Sequence, residues 1–312
     1  MFDDADPGIF QYVSTRKVPW MSYLAEVVET PMTAADAAKA GGLDFNVVMR
    51  SVSFSGVDGK MKGAPNRKAI VREDTNTLFE IVSDTYAPLQ FSEAFAFLDG
   101  INPEFVAAGL LKEGRQGFMV VQLPDEHKIH LNINDPHEMF VMVRTSHDRS
   151  RGIEVSVLPL RAKCMNSIAM ASFAKGAPQR WSITHVGDVN GKMHNAEALI
   201  KGAHAYAAQY AEQVERLNKI HVDQDKARMI LRNVVRESPK QGEMIEQIVQ
   251  LWNDAPTVDL GNTGWGLVNA VSDHYEWNRK GGSAQSQILG IVEGVTTKAI
   301  SRTAGALLSL AA

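Results

Sequence analysis

The side chains that could carry out chemistry concentrate in residues 139–172, which contain the tripeptide Ser146-His147-Asp148 and five basic residues. A serine, a histidine and an aspartate form a hydrolytic relay only when the three side chains converge from different segments of a fold. Three adjacent residues in one turn cannot adopt that geometry. Ser146 and Asp148 are therefore predicted to serve as turn and capping residues between two strands.

A metal site is a second interpretation of the same turn. His147 and Asp148, together with His185 and Asp188, would supply two imidazoles and two carboxylates if neighbouring strands bring them together. Such a set suits Mn²⁺, Fe²⁺ or Zn²⁺. The spacing matches no known metal motif. A metal-dependent enzyme centred on His147, Asp148 and His185 is therefore an alternative, and no catalytic residue is predicted.

We predict no cofactor. The glycines of LGNTGWG at positions 261, 264 and 266 lack the spacing of a phosphate-binding loop, and Gly264 and Gly266 are expected to let Trp265 pack tightly against the sheet. Cys164 could be a nucleophile beside Arg161 and Lys163. A lone cysteine between a strand and a helix is more often a small buried apolar residue.

The basic residues are the better candidates for a functional surface. Five lie in residues 139–172, and four more lie within nine residues of the segment KMKGAPNRK at 60–68. They could line a groove for phosphates, with Tyr86, Phe118 and Trp181 stacking bases. The alternative, that the charges are solvated or pair with acidic residues, stays open. The predicted nucleic-acid-binding residues are Arg144, Arg149, Arg151, Arg161, Lys163, Lys60, Lys62, Arg67 and Lys68.

The distribution of charge supports this choice. The whole chain of 312 residues has a formal net charge of -4. Residues 1–140 carry 12 basic and 20 acidic side chains, whereas residues 141–202 carry 9 basic and 4 acidic ones. A basic segment in an acidic chain is compatible with a phosphate-binding groove. It is equally compatible with internal salt bridges to the acidic N-terminal part.

Composition places the chain among cytoplasmic globular proteins. Its residues are 45% apolar and 22% charged, and its single cysteine fits a reducing compartment. No apolar run reaches the roughly 18 residues of a membrane span, and the acidic N-terminus lacks the features of a signal peptide. We therefore expect a protein of the cytoplasm without a membrane partner.

The pattern of elements predicts an α+β fold. Short alternating segments joined by turns indicate an antiparallel sheet with packed helices over residues 1–195. Thr33 and Ser92 are expected to cap helices, and KMKGAPNRK is expected to form a basic loop. From residue 195, apolar side chains recur every three to four positions, which predicts a C-terminal helical subdomain over residues 196–312.

The order of the segments resembles the phage/plasmid-like protein family, a domain of unknown function found in phages, prophages and conjugative plasmids. The most specific part is a turn of the SHDRS type followed by a strand that ends in R-x-K-C-x-N-S. The matching segments are GGLDFNV (41–47), VREDTNTLFEIVSDTYAPLQFSEAFAFLD (71–99), GRQGFMVVQLP (114–124), FVMVRTSHDRSRGIEVSVLPLRAKCMNSIAMA (140–171), WSITHVGDV (181–189) and TGWGLVNAVSDHYEWNR (263–279).

The resemblance implies a mobile genetic element and a role in handling DNA. We expect a non-catalytic protein that binds single-stranded DNA and assists strand annealing or recombination. The near-neutral helical tail would serve homo-oligomerisation or contact another DNA-processing protein. An alternative is an interaction protein that blocks a host defence or repair factor, with the acidic N-terminal part imitating the charge of DNA.

Overall fold

Two β-sheets and a set of C-terminal helices make up the fold, which confirms the predicted α+β class. The computed structural model describes residues 12–14, 26–27, 33–124, 137–161, 180–183, 189–254, 258–278 and 294–310. The strands are β1 (Tyr12–Ser14), β2 (Glu26–Val27), β3 (Val47–Ser55), β4 (Met61–Arg72), β5 (Thr77–Ser83), β6 (Glu104–Leu111), β7 (Gln116–Gln122), β8 (His137–Ser146), β9 (Ile153–Arg161) and β10 (Arg180–Ile183).

Helices of three kinds accompany the sheets. The α-helices are α1 (Ala34–Ala40), α2 (Phe91–Phe95), α3 (Val189–Lys219), α4 (Gln224–Val234), α5 (Gln241–Asn253), α6 (Gly264–Asp273) and α7 (Val295–Leu310). Within the described ranges, 3₁₀ segments span Ala96–Ile101 and Val258–Leu260, and a π-helical turn, His274–Asn278, continues α6. No described helix combines the length and the apolar character needed to cross a membrane.

The large sheet has seven strands in the order β10-β9-β8-β7-β6-β1-β2. All its pairs are antiparallel except β1 with β2, as the short turns between consecutive segments predict. Every residue of β7 is buried, so this strand is covered on both faces. Gly117 allows close approach here, because a Cβ at this position would lie 2.7 Å from Cδ2 of Leu43.

The small sheet has the order β3-β4-β5. One end of it is anchored in the core by Val47, Ile70 and Val82, which are fully or almost fully buried. The predicted basic loop at residues 60–68 is wrong, because most of that segment forms the first part of β4 and pairs with β3. Local turn formers such as Pro65 and Asn66 are accommodated in an irregularity of the pairing, where the register shifts between Ser51 and Ser53.

Helix capping explains where several helices begin. Thr33 caps α1 as predicted, since its hydroxyl accepts a hydrogen bond from the backbone N–H of Asp36 at 3.1 Å. The prediction that Ser92 caps α2 is wrong. Gln90 is the capping residue, and a reciprocal bond joins its backbone N–H to the Glu93 carboxylate at 3.1 Å.

Gly264 and Gly266 open α6 and serve close packing, as predicted. A Cβ on Gly266 would lie 2.8 Å from the carbonyl oxygen of Gly261 and 2.9 Å from Nε1 of Trp252 on α5. Trp265 itself is fully buried, and its ring centroid lies 5.7 Å from that of His137 on β8. The two glycines therefore let α6 pack between the large sheet and α5.

The buried side chains form one continuous cluster that crosses the predicted boundary at residue 195. That boundary lies inside α3, which begins at Val189. The ring of Tyr210 on α3 lies 5.7 Å from that of His137 on β8. The division into residues 1–195 and 196–312 thus separates two kinds of secondary structure that share a core.

Candidate functional site

The outer end of the small sheet is a two-stranded hairpin that we call the arm, residues 50–68. β5 pairs only with residues 67–72 of β4, so among the described residues no third strand lies beside the distal part of the arm. Residues 53–63 are exposed throughout, apart from the half-buried Gly56. Ser55 lies eight positions after Val47 on β3, so the end of this strand lies about 26 Å from the anchored end of the small sheet at about 3.3 Å per residue.

The arm is strongly basic. It contains five basic residues and one acidic residue, a formal net charge of +4 in a chain whose total is -4. Four of the five cations were predicted to bind nucleic acid, and three of these are exposed while Lys68 is half-buried. The cations are Arg50, Lys60, Lys62, Arg67 and Lys68.

Polar contacts fix the tip of the arm. Asp58 accepts a hydrogen bond from the backbone N–H of Lys60 at 3.2 Å and lies 3.7 Å from the ammonium of Lys62. Gly59 has a φ of 73°, which a glycine adopts without steric cost. The backbone N–H of Gly59 donates to the carbonyl of Gly56 at 2.9 Å. The turn therefore has a defined conformation while its lysines stay exposed.

The register of the hairpin separates its side chains onto two faces. Phe54 is paired with Lys62, and Ser55 is paired with Met61. Directly paired residues share a face, and consecutive pairs project to opposite faces. One face of the tip therefore carries an aromatic ring beside an ammonium group, and the other carries a thioether beside a hydroxyl. Phe54 is 51% exposed and Met61 is 66% exposed.

The second predicted group of cations is placed differently. Arg144 is completely buried, and its Nη2 lies 2.6 Å from Oε1 of Glu154. Arg151 approaches the same carboxylate, with Nη1 3.1 Å from Oε2. Two arginines thus share one glutamate within the hairpin of β8 and β9. Their guanidinium groups stabilise this hairpin, and Arg144 is not accessible to a phosphate chain.

Arg149 is the exposed cation of the turn between β8 and β9. It has a left-handed backbone, with a φ of 60°, and its guanidinium lies 5.9 Å from the ring centroid of Tyr86. Arg161 ends β9 and is paired with His137 in the register, while its side chain is not described. Lys163 lies outside the described residues. From this group, only Arg149 is placed as an exposed cation.

His147 is enclosed by aromatic rings and is only 1% exposed. Its ring centroid lies 3.9 Å from that of Phe91, 5.9 Å from that of Phe45 and 6.1 Å from that of Phe79. Burial lowers the pKa of His147 to about 4, although the nearby charge of Asp148 acts to raise it. Its Nε2 has no hydrogen-bond partner among the described residues. His147 therefore packs as a neutral ring where the small sheet meets the large one.

Ser146 and Asp148 have the turn functions predicted for them. The hydroxyl of Ser146 donates to the carbonyl of Arg151 at 3.0 Å and accepts from its backbone N–H at 3.1 Å. Asp148 accepts from the backbone N–H of Ser150 at 2.9 Å. Burial acts to raise the pKa of Asp148, but the hydrogen bonds from Ser150 outweigh it and hold that pKa below its usual value.

The proposed metal ligands are not brought together within the described part of the chain. His185 and Asp188 lie outside it, and the phenylalanines around His147 leave its ring in an apolar setting. Across the described ranges, no three His, Cys, Asp or Glu side chains lie where they could hold a metal ion. Cys164 also lies outside these ranges.

The aromatic residues that could stack bases are not the predicted ones. Phe118 is fully buried in β7, so its predicted role is wrong. Tyr86 is half-buried beside Arg149, and the side chain of Trp181 is not described. Sequence reasoning missed Phe54 and Arg50. Alternation along β3 from Arg50 to Phe54 was the available signal, because it places both side chains on one face.

Neither the curated proteins nor the solved structures contain a match to this chain. The family comparison does give one. A model described as a domain of unknown function (DUF932) matches residues 78–305, which is well over half of the chain. The chain therefore belongs to the DUF932 family, a domain of unknown function, as its resemblance predicted in part.

Proposed function

We propose that this protein binds single-stranded DNA through the arm and has no catalytic activity of its own. The observation that carries the proposal is the hairpin at residues 50–68, which extends beyond the core and has a net charge of +4. Cations on an exposed two-stranded arm can follow a phosphate chain without first breaking contacts in the core. A polyanion is the ligand class that this charge favours.

Contacts with unpaired bases are the reason why we propose a single strand as the ligand and not a duplex. Phe54 is exposed near the tip and is paired with Lys62 across the hairpin. Proteins that bind single strands combine a positive track for the backbone with apolar and aromatic surfaces for the bases. In a duplex the faces of the bases are already stacked on each other, so an exposed aromatic ring gains less binding free energy from a duplex than from a single strand. Arg149, beside Tyr86, offers a further exposed cation.

The setting is part of the same proposal. The resemblance to the phage/plasmid-like family favours a protein encoded by a phage or a plasmid and acting in the bacterial cytoplasm. There, an arm that holds one DNA strand would assist annealing or recombination. Homo-oligomers would place several arms along one strand, which increases the overall affinity without any new contact.

The test is binding of labelled oligonucleotides, single-stranded and duplex, at about 50 mM and about 200 mM salt. Five phosphate contacts give a slope of log K against log salt of about -3.5 for a single strand, so affinity should fall about a hundredfold over this range. Replacing Lys60, Lys62, Arg67 and Lys68 with Gln should reduce the slope to less than about -1 in magnitude.

A matched control removes four exposed cations from the helical part: Lys201, Arg232, Arg236 and Lys240, each replaced with Gln. The change in net charge is the same, and affinity and slope should stay close to those of the wild type. Absence of binding at the lower salt concentration, or equal losses in the two variants, would refute the proposal. The arm would then fit a protein partner, such as a host defence or repair factor.

A further inference from the structure

The exposed apolar side chains of this protein are unevenly distributed. Eight large apolar residues are exposed among the described side chains, and five of them lie in the small sheet or at its tip. Exposed apolar area forgoes about 25 cal/mol per Å² of stabilisation, so a concentration of it on one element indicates a contact surface. The five are Phe54, Val57, Met61, Leu78 and Ile81.

Phe54 differs from the others in its neighbour. Its paired residue across the hairpin is Lys62, which projects from the same face. Arg50 lies four residues before Phe54 on β3. The extra residues of the irregularity between Ser51 and Ser53 lie on β4, so the alternation of β3 places Arg50 on this face too. Phe54 thus has one cation, Lys62, directly across the hairpin and a second, Arg50, about 13 Å away along its own strand. This arrangement matches one nucleotide, whose base can stack on the ring while the flanking phosphates contact the cations.

We propose that the face of the arm formed by Arg50, Phe54 and Lys62 is a stacking site for one unpaired base. The site rests on the proposed binding of single-stranded DNA, and it adds the feature that makes the arm select a single strand. The charge of the arm alone attracts both single and double strands. Stacking on Phe54 requires a base whose face is exposed, which only an unpaired nucleotide supplies.

Asp58 belongs to the same site and limits the position of the phosphate. Its carboxylate lies 3.7 Å from the ammonium of Lys62 and would repel a phosphate placed on the outer side of the tip. The favourable path therefore runs from Lys62 past Phe54 towards Arg50. Met61 lies on the opposite face, paired with Ser55, and does not take part.

The test uses the full chain and single-stranded oligonucleotides that contain 2-aminopurine, whose fluorescence falls when it stacks on an aromatic ring. Phe54→Ala should weaken binding of the single strand about 5- to 150-fold, the range for losing one stacked base. It should abolish the fluorescence change and leave the salt slope and the affinity for duplex DNA unaltered. Phe54→Trp should restore both affinity and quenching.

Met61→Ala is the matched control, because it removes an exposed apolar side chain of the same hairpin from the other face. It should leave the single-strand affinity unchanged. If Phe54→Ala keeps the wild-type affinity and quenching while the salt slope stays steep, the stacking site is refuted and DNA binding by the arm stands. Equal losses from Phe54→Ala and Met61→Ala would also refute it. If the wild type binds no oligonucleotide, the proposed function fails first.

Discussion

At the scale of the residue, His147 is a titratable side chain that is buried where the small sheet meets the large one. Three phenylalanine rings surround it, and burial lowers its pKa to about 4 from an ordinary value of 6.5. The charged imidazole is disfavoured there because the rings replace water. The folded protein therefore resists taking up a proton that the unfolded chain accepts readily.

This difference predicts a specific dependence of stability on pH. Above pH 6.5, His147 is neutral in both states and the stabilisation is fully present. As the pH falls from 6.5 to about 4, the unfolded chain is protonated first, so the free energy of unfolding should drop by about 3 kcal/mol from this residue. His147→Phe should abolish that part of the loss, as measured by urea unfolding at pH 7, 5.5 and 4.

His221→Gln, at an exposed histidine, gives the reference for losing one imidazole. The relevant quantity is the difference in unfolding free energy between His147→Phe and wild type, which should rise by about 3 kcal/mol from pH 7 to pH 4. A constant difference across this range would mean that His147 is protonated in the folded protein as easily as in the unfolded chain.

The same scale shows which site residues could be predicted. Lys60 and Lys62 were identified from their density in the sequence and are exposed on the arm. In the sequence, Arg144 and Arg151 look equivalent to these two lysines. In the structure both arginines contact Glu154, and Arg144 is buried. The type of a residue gives its charge, whereas its burial and its ion pairs depend on the strands that lie beside it. A strand covered on both faces turns an apparent surface cation into a buried ion pair.

At the scale of the element, the arm should be separable from the fold. Residues 53–63 are exposed, and Ser53 and Gly63 face each other across the hairpin. Replacing residues 54–62 with Asn-Gly would close β3 and β4 through a two-residue turn. We expect the melting temperature and the urea midpoint to stay close to those of the wild type, and binding of single-stranded DNA to weaken, because Phe54, Lys60 and Lys62 are removed.

Ile70→Ala is the comparison within the same strand β4. Ile70 is fully buried at the anchored end of the small sheet, so its truncation should cost about 2 to 5 kcal/mol of stability. If the shortened arm destabilises the protein as much as Ile70→Ala does, the arm is packed against the body and cannot act as an independent binding element.

Element types were predicted better than element positions. Helix α4 lies in the predicted helical part and begins after Asp223, which accepts a hydrogen bond from the backbone N–H of Lys226 at 2.8 Å. The apolar period of α3 is correct, but the helix begins six residues before the predicted Asn195. Residues 60–68, predicted to form a basic loop, contain the turn formers Gly63 and Pro65. Pairing with β3 overrides that local preference, since the backbone bonds of the hairpin are non-local.

At the scale of the whole molecule, the distribution of charge and the core have different boundaries. The acidic excess lies in residues 1–140, but the most basic exposed element, the arm, is embedded in that same part of the chain. Averages over long segments therefore mask the charge of the arm and emphasise residues 141–202, where two of the arginines share the single carboxylate of Glu154. Only the topology of the small sheet reveals how the arm is exposed.

The continuity of the core leads to a prediction about unfolding. Leu217 of α3 and Val141 of β8 are both fully buried and belong to one apolar cluster. If the parts before and after residue 195 depend on each other for burial, they must unfold together.

Leu217→Ala should then lower the stability of the sheet and the helices alike, by about 2 to 5 kcal/mol. Urea unfolding followed by far-ultraviolet circular dichroism and by tryptophan fluorescence should give one coincident transition, shifted as a whole. Val141→Ala, on the sheet side, should shift the same single transition. Two transitions, of which Leu217→Ala moves only one, would instead establish residues 1–195 as an independent folding unit.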